Sequence, residues 1–136
     1  GYAAGPLPVI QQMTKLQQYT FVCAPSMAQR GLAAALGLDV SANVTAYEAK
    51  RDLVERVLGP VADMAHPGGA FYAFIEVPTA VAASATEFVE RAIERNVLLI
   101  PGCVFSSRDT HLRLSYAVPD DKLEAGLRIL AEMLAR

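Results

Sequence analysis

Charge is distributed so unevenly along this chain that it limits what the first third can fold into. Residues 1–47 contain three charged side chains, Lys15, Arg30 and Asp39, although the whole sequence holds 12 Lys and Arg and 14 Asp and Glu. A helix at a protein surface normally sets a charged face opposite its apolar stripe. From Pro6 to Leu38 the positions where that face belongs carry mostly Gln, Ser, Thr and Ala, so both faces of this segment are expected to be covered by other protein. The helices expected before residue 60 cannot enclose a core without a sheet to pack on. A domain boundary is expected inside the long charged helix, around residues 43–50.

At 136 residues, with 53% hydrophobic and 19% charged side chains, the chain is long enough to bury a real core, and its composition excludes disorder. The net charge of −2 advertises no basic surface for nucleic acid or an anionic membrane. Every long apolar run is interrupted by Gln, Pro or charge before it reaches a bilayer-spanning length. Cys23 and Cys103 fit neither a CxxC site nor a disulfide framework, and two isolated thiols suit the cytoplasm. The opening Gly1-Tyr2-Ala3-Ala4-Gly5-Pro6 runs through a glycine-rich turn straight into an apolar helix. The chain is therefore expected to be the C-terminal portion of a larger protein.

The first helix is expected from Pro6 to Gln18, with Val9, Ile10, Met13 and Leu16 at helical spacing. Tyr19 to Ala24 reads as extended, and Ser26 with Gln29 forms a capping box for a helix that Gly37 stops. Ser41 to Thr45 supplies several candidate N-caps, Thr45 with Glu48 the best of them, for a long helix through Gly59, with Asp52 and Arg56 paired on its wet side and Tyr47, Val54 and Leu58 on its dry side. After the turn Pro67-Gly68-Gly69, Ala70 to Val77 reads as a strand. Ser84 and Glu87 cap a helix to Arg95, where Asn96 is a left-handed stop. Strands at 97–100 and 112–117 precede a last helix, capped by Asp120, with Leu123, Leu127, Leu130 and Leu134 on one face. This order predicts an α/β fold, a small and largely antiparallel sheet with helices on one face, plus the helices of the first third.

Spacing alone offers little catalytic apparatus. His66 and His111 have no metal-ligand spacing to each other or to a cysteine, and there is no GxSxG, P-loop or paired-carboxylate signature. Both histidines read as turn or strand residues satisfied by backbone or water, and Cys103, without a charged or His neighbour in sequence, as a small apolar residue. Arg113 alternates with Leu112 and Leu114 and so points to the opposite face of its strand. Its planar fork of donors suits a carboxylate, although an arginine on a strand is more often a solvated or ion-paired residue.

Four stretches taken together resemble the class I/II aminotransferases, the fold-type I enzymes that use pyridoxal phosphate. Gly1-Tyr2 through Pro6 resembles the end of the segment that follows their lysine, and Ala46-Tyr47 through Leu58 their interdomain helix. Pro67 through Phe74 resembles their P-x-G-A-F-Y-x-F strand. Val97 to Gly102 with Phe105, followed by Leu112-Arg113-Leu114-Ser115-Tyr116-Ala117, resembles their PG turn and R-L-S-[YF]-A strand. The resemblance runs through all 136 residues and is aspartate aminotransferase-like.

The resemblance implies an enzyme that moves an amino group between an amino acid and a 2-oxo acid through pyridoxal phosphate. Residues 1–45 would be the end of its large, cofactor-binding domain and residues 46–136 its small domain. Arg113 would bind the substrate α-carboxylate, because a bidentate guanidinium holds the Cα–H bond in orientation better than a point charge does. Phe71 would form a wall of the substrate pocket, and Tyr19 would reach toward a partner subunit's site in a homodimer. With no arginine between Tyr19 and Ala24, Tyr19 or Phe21 would suit an apolar or aromatic substrate side chain better than a second carboxylate. The Schiff-base lysine and the phosphate and ring contacts would lie upstream of Gly1. Neither Lys15 nor Lys50 matches the lysine motif, so this chain would hold neither catalytic nor cofactor-binding residues, would bind no cofactor by itself and would be inactive alone. The missing N-terminal part would be its partner. A PLP-dependent C–S β-lyase and the aminotransferase-like effector domain of a transcriptional regulator are the alternative readings.

Overall fold

Proline sets the start of three helices in the structure, a computed structural model that describes residues 2–135. Pro6, Pro25 and Pro119 are the N-cap residues of α1 (Leu7–Gln18), α2 (Ser26–Ala35) and α5 (Asp120–Leu134), each with φ close to −55°. That fixed φ is already near the helical value, so each helix begins directly after its proline. The Ser26–Gln29 capping box consequently does not form: Ser26 is the first helical residue, and the Gln29 side chain donates to the Ala24 carbonyl instead (2.7 Å). Asp120 likewise is the first residue of α5, not its cap, and its carboxylate pairs with Lys50 at 2.8 Å.

Two compact units divide the chain, one ending at Asp39 and the other beginning at Val40. The first holds α1 and α2. Between them Tyr19 to Ala24 forms turns where a strand was expected, because the N–H groups of Thr20, Phe21 and Val22 all fold back onto the Gln17 carbonyl. Val22 takes φ = 63°, a costly conformation for a β-branched residue. α2 stops at Ala35 with right-handed Leu36 as its C-cap, so Gly37 does not supply a left-handed stop. Neither helix buries a residue.

The second unit opens with α3 (Ser41–Leu58), which starts four residues ahead of Thr45 and leaves that threonine inside the helix. Its Asp52 carboxylate is taken by both Nε and Nη2 of Arg51 (2.9 and 2.7 Å), the nearer donor, in place of the pairing with Arg56 expected from spacing. β1 (Tyr72–Glu76), β2 (Ile100–Pro101) and β3 (His111–Ser115) form an antiparallel sheet in the order β1-β3-β2. Between β1 and β2 runs α4 (Ala85–Glu94). Its Ser84 cap accepts from the Glu87 N–H, and the Glu87 carboxylate reaches back to the Ala83 N–H. Asn96 ends it at φ = 62°, as a residue tolerant of that region can.

Alternation decides the faces. Ala73 and Ile75 of β1 and Leu112 and Leu114 of β3 point to one side, where Val54 and Leu58 of α3, Phe88 of α4 and Leu127 and Leu130 of α5 close over them. Burying each large side chain contributes about 1.5–3 kcal/mol. Tyr116, 1% exposed, joins this core and keeps its hydroxyl satisfied on the Ala70 carbonyl at 3.2 Å. The opposite side of the sheet carries Tyr72, Phe74, Glu76, His111, Arg113 and Ser115.

Candidate functional site

On that open face Arg113 sits at the middle of the central strand, directly opposite Phe74 of β1 and Ile100 of β2. Its guanidinium carbon lies 4.3 Å from the centre of the Tyr72 ring and 4.4 Å from that of Phe105. Both distances are well within the range over which an aromatic face attracts a cation. Tyr72 comes from β1, on one flank of β3. Phe105 follows the 3-10 turn Gly102–Val104 that leaves β2 on the other flank. Among the described residues no carboxylate or carbonyl pairs with Arg113. The rings therefore flank the cation with no oxygen atom drawing on its N–H donors, and a planar anion can take two of them side by side.

The turn carrying Phe105 depends on one missing side chain. A Cβ on Gly102 would stand 2.6 Å from the His111 carbonyl oxygen and 3.0 Å from the Phe74 ring. Glycine therefore lets this turn close onto the sheet, and the Phe105 N–H locks it by donating to the Gly102 carbonyl at 2.8 Å. Phe74 is engaged elsewhere, stacked on the His111 ring with centroids 5.1 Å apart and planes at 9°.

Beside this face lies a groove of about 390 Å³ between α3 and the segment 67–71, lined by Tyr47, Arg51, Gly69, Phe71 and Tyr116 among others. Phe71 contacts the Tyr47 ring at 6.2 Å and the Tyr72 ring at 4.5 Å, so it links the groove to the aromatic flank of Arg113. Ala70 forms the bend into β1 at φ = 59°, a left-handed conformation that costs a residue bearing a Cβ about 1–2 kcal/mol. Tyr116 is bonded to that bend, through its hydroxyl to Ala70 and its N–H to the Phe71 carbonyl. Burial raises its hydroxyl pKa above the ordinary value of 10.0.

Arg113 and Phe71, both singled out from sequence, thus lie in one aromatic network, whereas Tyr19 belongs to the first unit, in the turn after α1, and is exposed. Sequence reasoning missed Tyr72 as a neighbour of Arg113, although its place on the alternating strand pointed to the same face. It had placed Phe105 only within a motif. His66 pairs with Glu55, and Cys103 lies 3.6 Å from the Thr86 hydroxyl. Cys103 is exposed where an apolar, buried place was favoured. Among the described residues no three His, Cys, Asp or Glu side chains come together as a metal site, and no helix is long and apolar enough to cross a membrane.

Lys50 is held by Asp120 and by the Val118 carbonyl, and Lys15 stands in the exposed last turn of α1. Neither lines the groove beside β1.

Known proteins share this architecture. The sequence pattern of the family described as "Aminotransferase class I and II" matches residues 1–130. The "Probable aspartate aminotransferase" of Methanocaldococcus jannaschii is 34% identical over 131 residues, spanning 93% of this chain and 34% of the relative. An aspartate aminotransferase of Thermococcus kodakarensis is 32% identical, over 98% of this chain and 36% of its own length. The crystal structure of an aspartate aminotransferase from Thermotoga maritima superimposes with a TM-score of 0.81 at 28% identity, covering 95% of this chain and 34% of that one. The chain thus spans about a third of the length of the proteins it matches.

Proposed function

Because the chain belongs to the aminotransferase class I and II family, we propose that it is the substrate-carboxylate part of an enzyme that moves an amino group from an amino acid to a 2-oxo acid. Arg113 binds the α-carboxylate. The observation that carries this reading is the guanidinium flanked by Tyr72 and Phe105, with no carboxylate of its own among the described residues. A structural ion pair would have a partner here, and a solvated arginine would not be seated against two rings. Phe71, joined to Tyr72, forms a wall beside the bound substrate. Tyr19 faces a partner subunit's substrate in a homodimer, where an aromatic ring suits an apolar side chain.

Pyridoxal phosphate supplies the electron sink for amino transfer in this family. The residues of this chain do not fit it: the Lys50 ammonium is committed to Asp120 and Val118, and among the described residues no lysine lines the groove. We assign the cofactor contacts to the two thirds of the relatives' length that this chain does not match. The same portion covers the first unit, whose Leu7, Met13, Leu16, Leu32 and Leu36 are all exposed, more large apolar side chains than a free surface ordinarily shows. Residues 1–45 are then the end of the cofactor-binding domain and residues 46–136 the small domain, in a soluble cytoplasmic enzyme.

Replacing Arg113 with Lys in the full-length enzyme tests the assignment, since lysine keeps the charge and loses the fork. The expected loss in kcat/KM corresponds to about 2–4 kcal/mol, with cofactor occupancy and melting temperature unchanged. Unaltered kinetics would mean a solvated arginine. A lowered melting temperature with proportional loss of cofactor would mean a structural one.

A further inference from the structure

We infer that Tyr72 and Phe105 are positioning residues that fix the plane of the Arg113 guanidinium before a carboxylate arrives. The inference rests on the reading of Arg113 as the carboxylate site and adds to it two residues that act only through the arginine. A free arginine samples many rotamers, and a bidentate pair accepts one plane. An acidic neighbour could restrict those rotamers, but it would occupy the donors that the substrate needs. Aromatic rings restrict them without occupying a donor, because they engage the face of the cation and leave its N–H edge.

The architecture that holds the rings is consistent with this role. Tyr72 lies on β1 two residues from the Phe74–Arg113 pair, on the same face, close enough for a diagonal contact. Phe105 is brought in by the turn that only Gly102 allows to close against His111 and Phe74. Phe105 is nevertheless half exposed and absent from the core. A large ring left half in water, at the end of a turn built against the sheet, has more to do with the cation it touches than with stability.

The test uses the full-length enzyme and its best amino donor. Phe105→Leu and Tyr72→Leu remove the rings, and Tyr72→Phe keeps the ring while deleting the hydroxyl. The Leu variants should raise KM roughly 3- to 30-fold with a smaller change in kcat, and Tyr72→Phe should match the parent. Phe105→Leu should leave the melting temperature unchanged; it carries the test by itself if Tyr72→Leu does not fold. Unchanged KM in the Leu variants, beside an Arg113→Lys variant that still loses activity, would overturn the positioning role and leave the arginine assignment standing. A fall in kcat that follows melting temperature at constant KM would overturn it too, as the mark of a structural role. If Arg113→Lys itself keeps full activity, the carboxylate reading and this inference fall together.

Discussion

Single residues in this chain are placed by alternation and by what burial demands of polar atoms. On β3 the pattern that buries Leu112 and Leu114 leaves Arg113 only the open face. One strand-end further, Tyr116 enters the core and must bring its hydroxyl to a partner, which it finds on the strained Ala70 bend. Its raised pKa has a consequence for stability. The folded state holds the phenolic proton more tightly than the unfolded chain does, so this contribution is complete below the ordinary value of 10.0 and is lost as pH rises through the higher folded value. Thermal melts between pH 8 and 11 should therefore show the parent losing stability above about pH 10, and Tyr116→Phe, which cannot ionise, should lose less. Parallel curves for the two proteins would contradict the account.

At the scale of elements, the turn at Gly102 and the cap at Ser84 make different demands. Gly102→Ala forces a backbone-on-backbone shift and is expected to cost about 1–3 kcal/mol. It should also weaken substrate binding through the displaced Phe105. Ser84→Ala removes one cap hydrogen bond at an exposed end and should cost about 1 kcal/mol without affecting KM. Denaturant melts and steady-state kinetics on the two variants separate these effects; equal KM values would break the link from turn to arginine. The Ser84 cap, the left-handed Asn96 and the leucine face of α5 were legible in the sequence because each is a local preference satisfied locally. The failure of side-chain capping at Ser26, Thr45 and Asp120 was not. There proline geometry or simple helix propagation overrode the side-chain cap, and the Asp120 carboxylate and the Gln29 amide found other partners. The aromatic flank of Arg113 was out of reach for another reason, since Phe105 approaches from a different strand and only the folded sheet brings it to the arginine.

For the whole molecule, the two units have unequal claims to independence. The second unit contains every buried hydrophobic residue among those described, so residues 40–136 expressed alone should unfold cooperatively. The 136-residue chain should bind more of a hydrophobic dye than that shorter form, through the exposed apolar residues of α1 and α2. Equal dye binding would place their apolar surface inside this chain. Mixed with pyridoxal phosphate, the 136-residue chain should form no borohydride-reducible adduct at Lys15 or Lys50 that survives dialysis, whereas the full-length enzyme should carry one at a lysine outside it. The central claim is that Arg113 recognises the α-carboxylate, and it is tested most directly by taking that carboxylate off the substrate. In the full-length enzyme, kcat/KM should be far higher for the preferred amino acid than for the amine that lacks only its carboxylate. Arg113→Leu should collapse that ratio by at least about 100-fold, through loss of activity toward the amino acid alone. A ratio that stays the same in Arg113→Leu as in the parent would contradict the assignment.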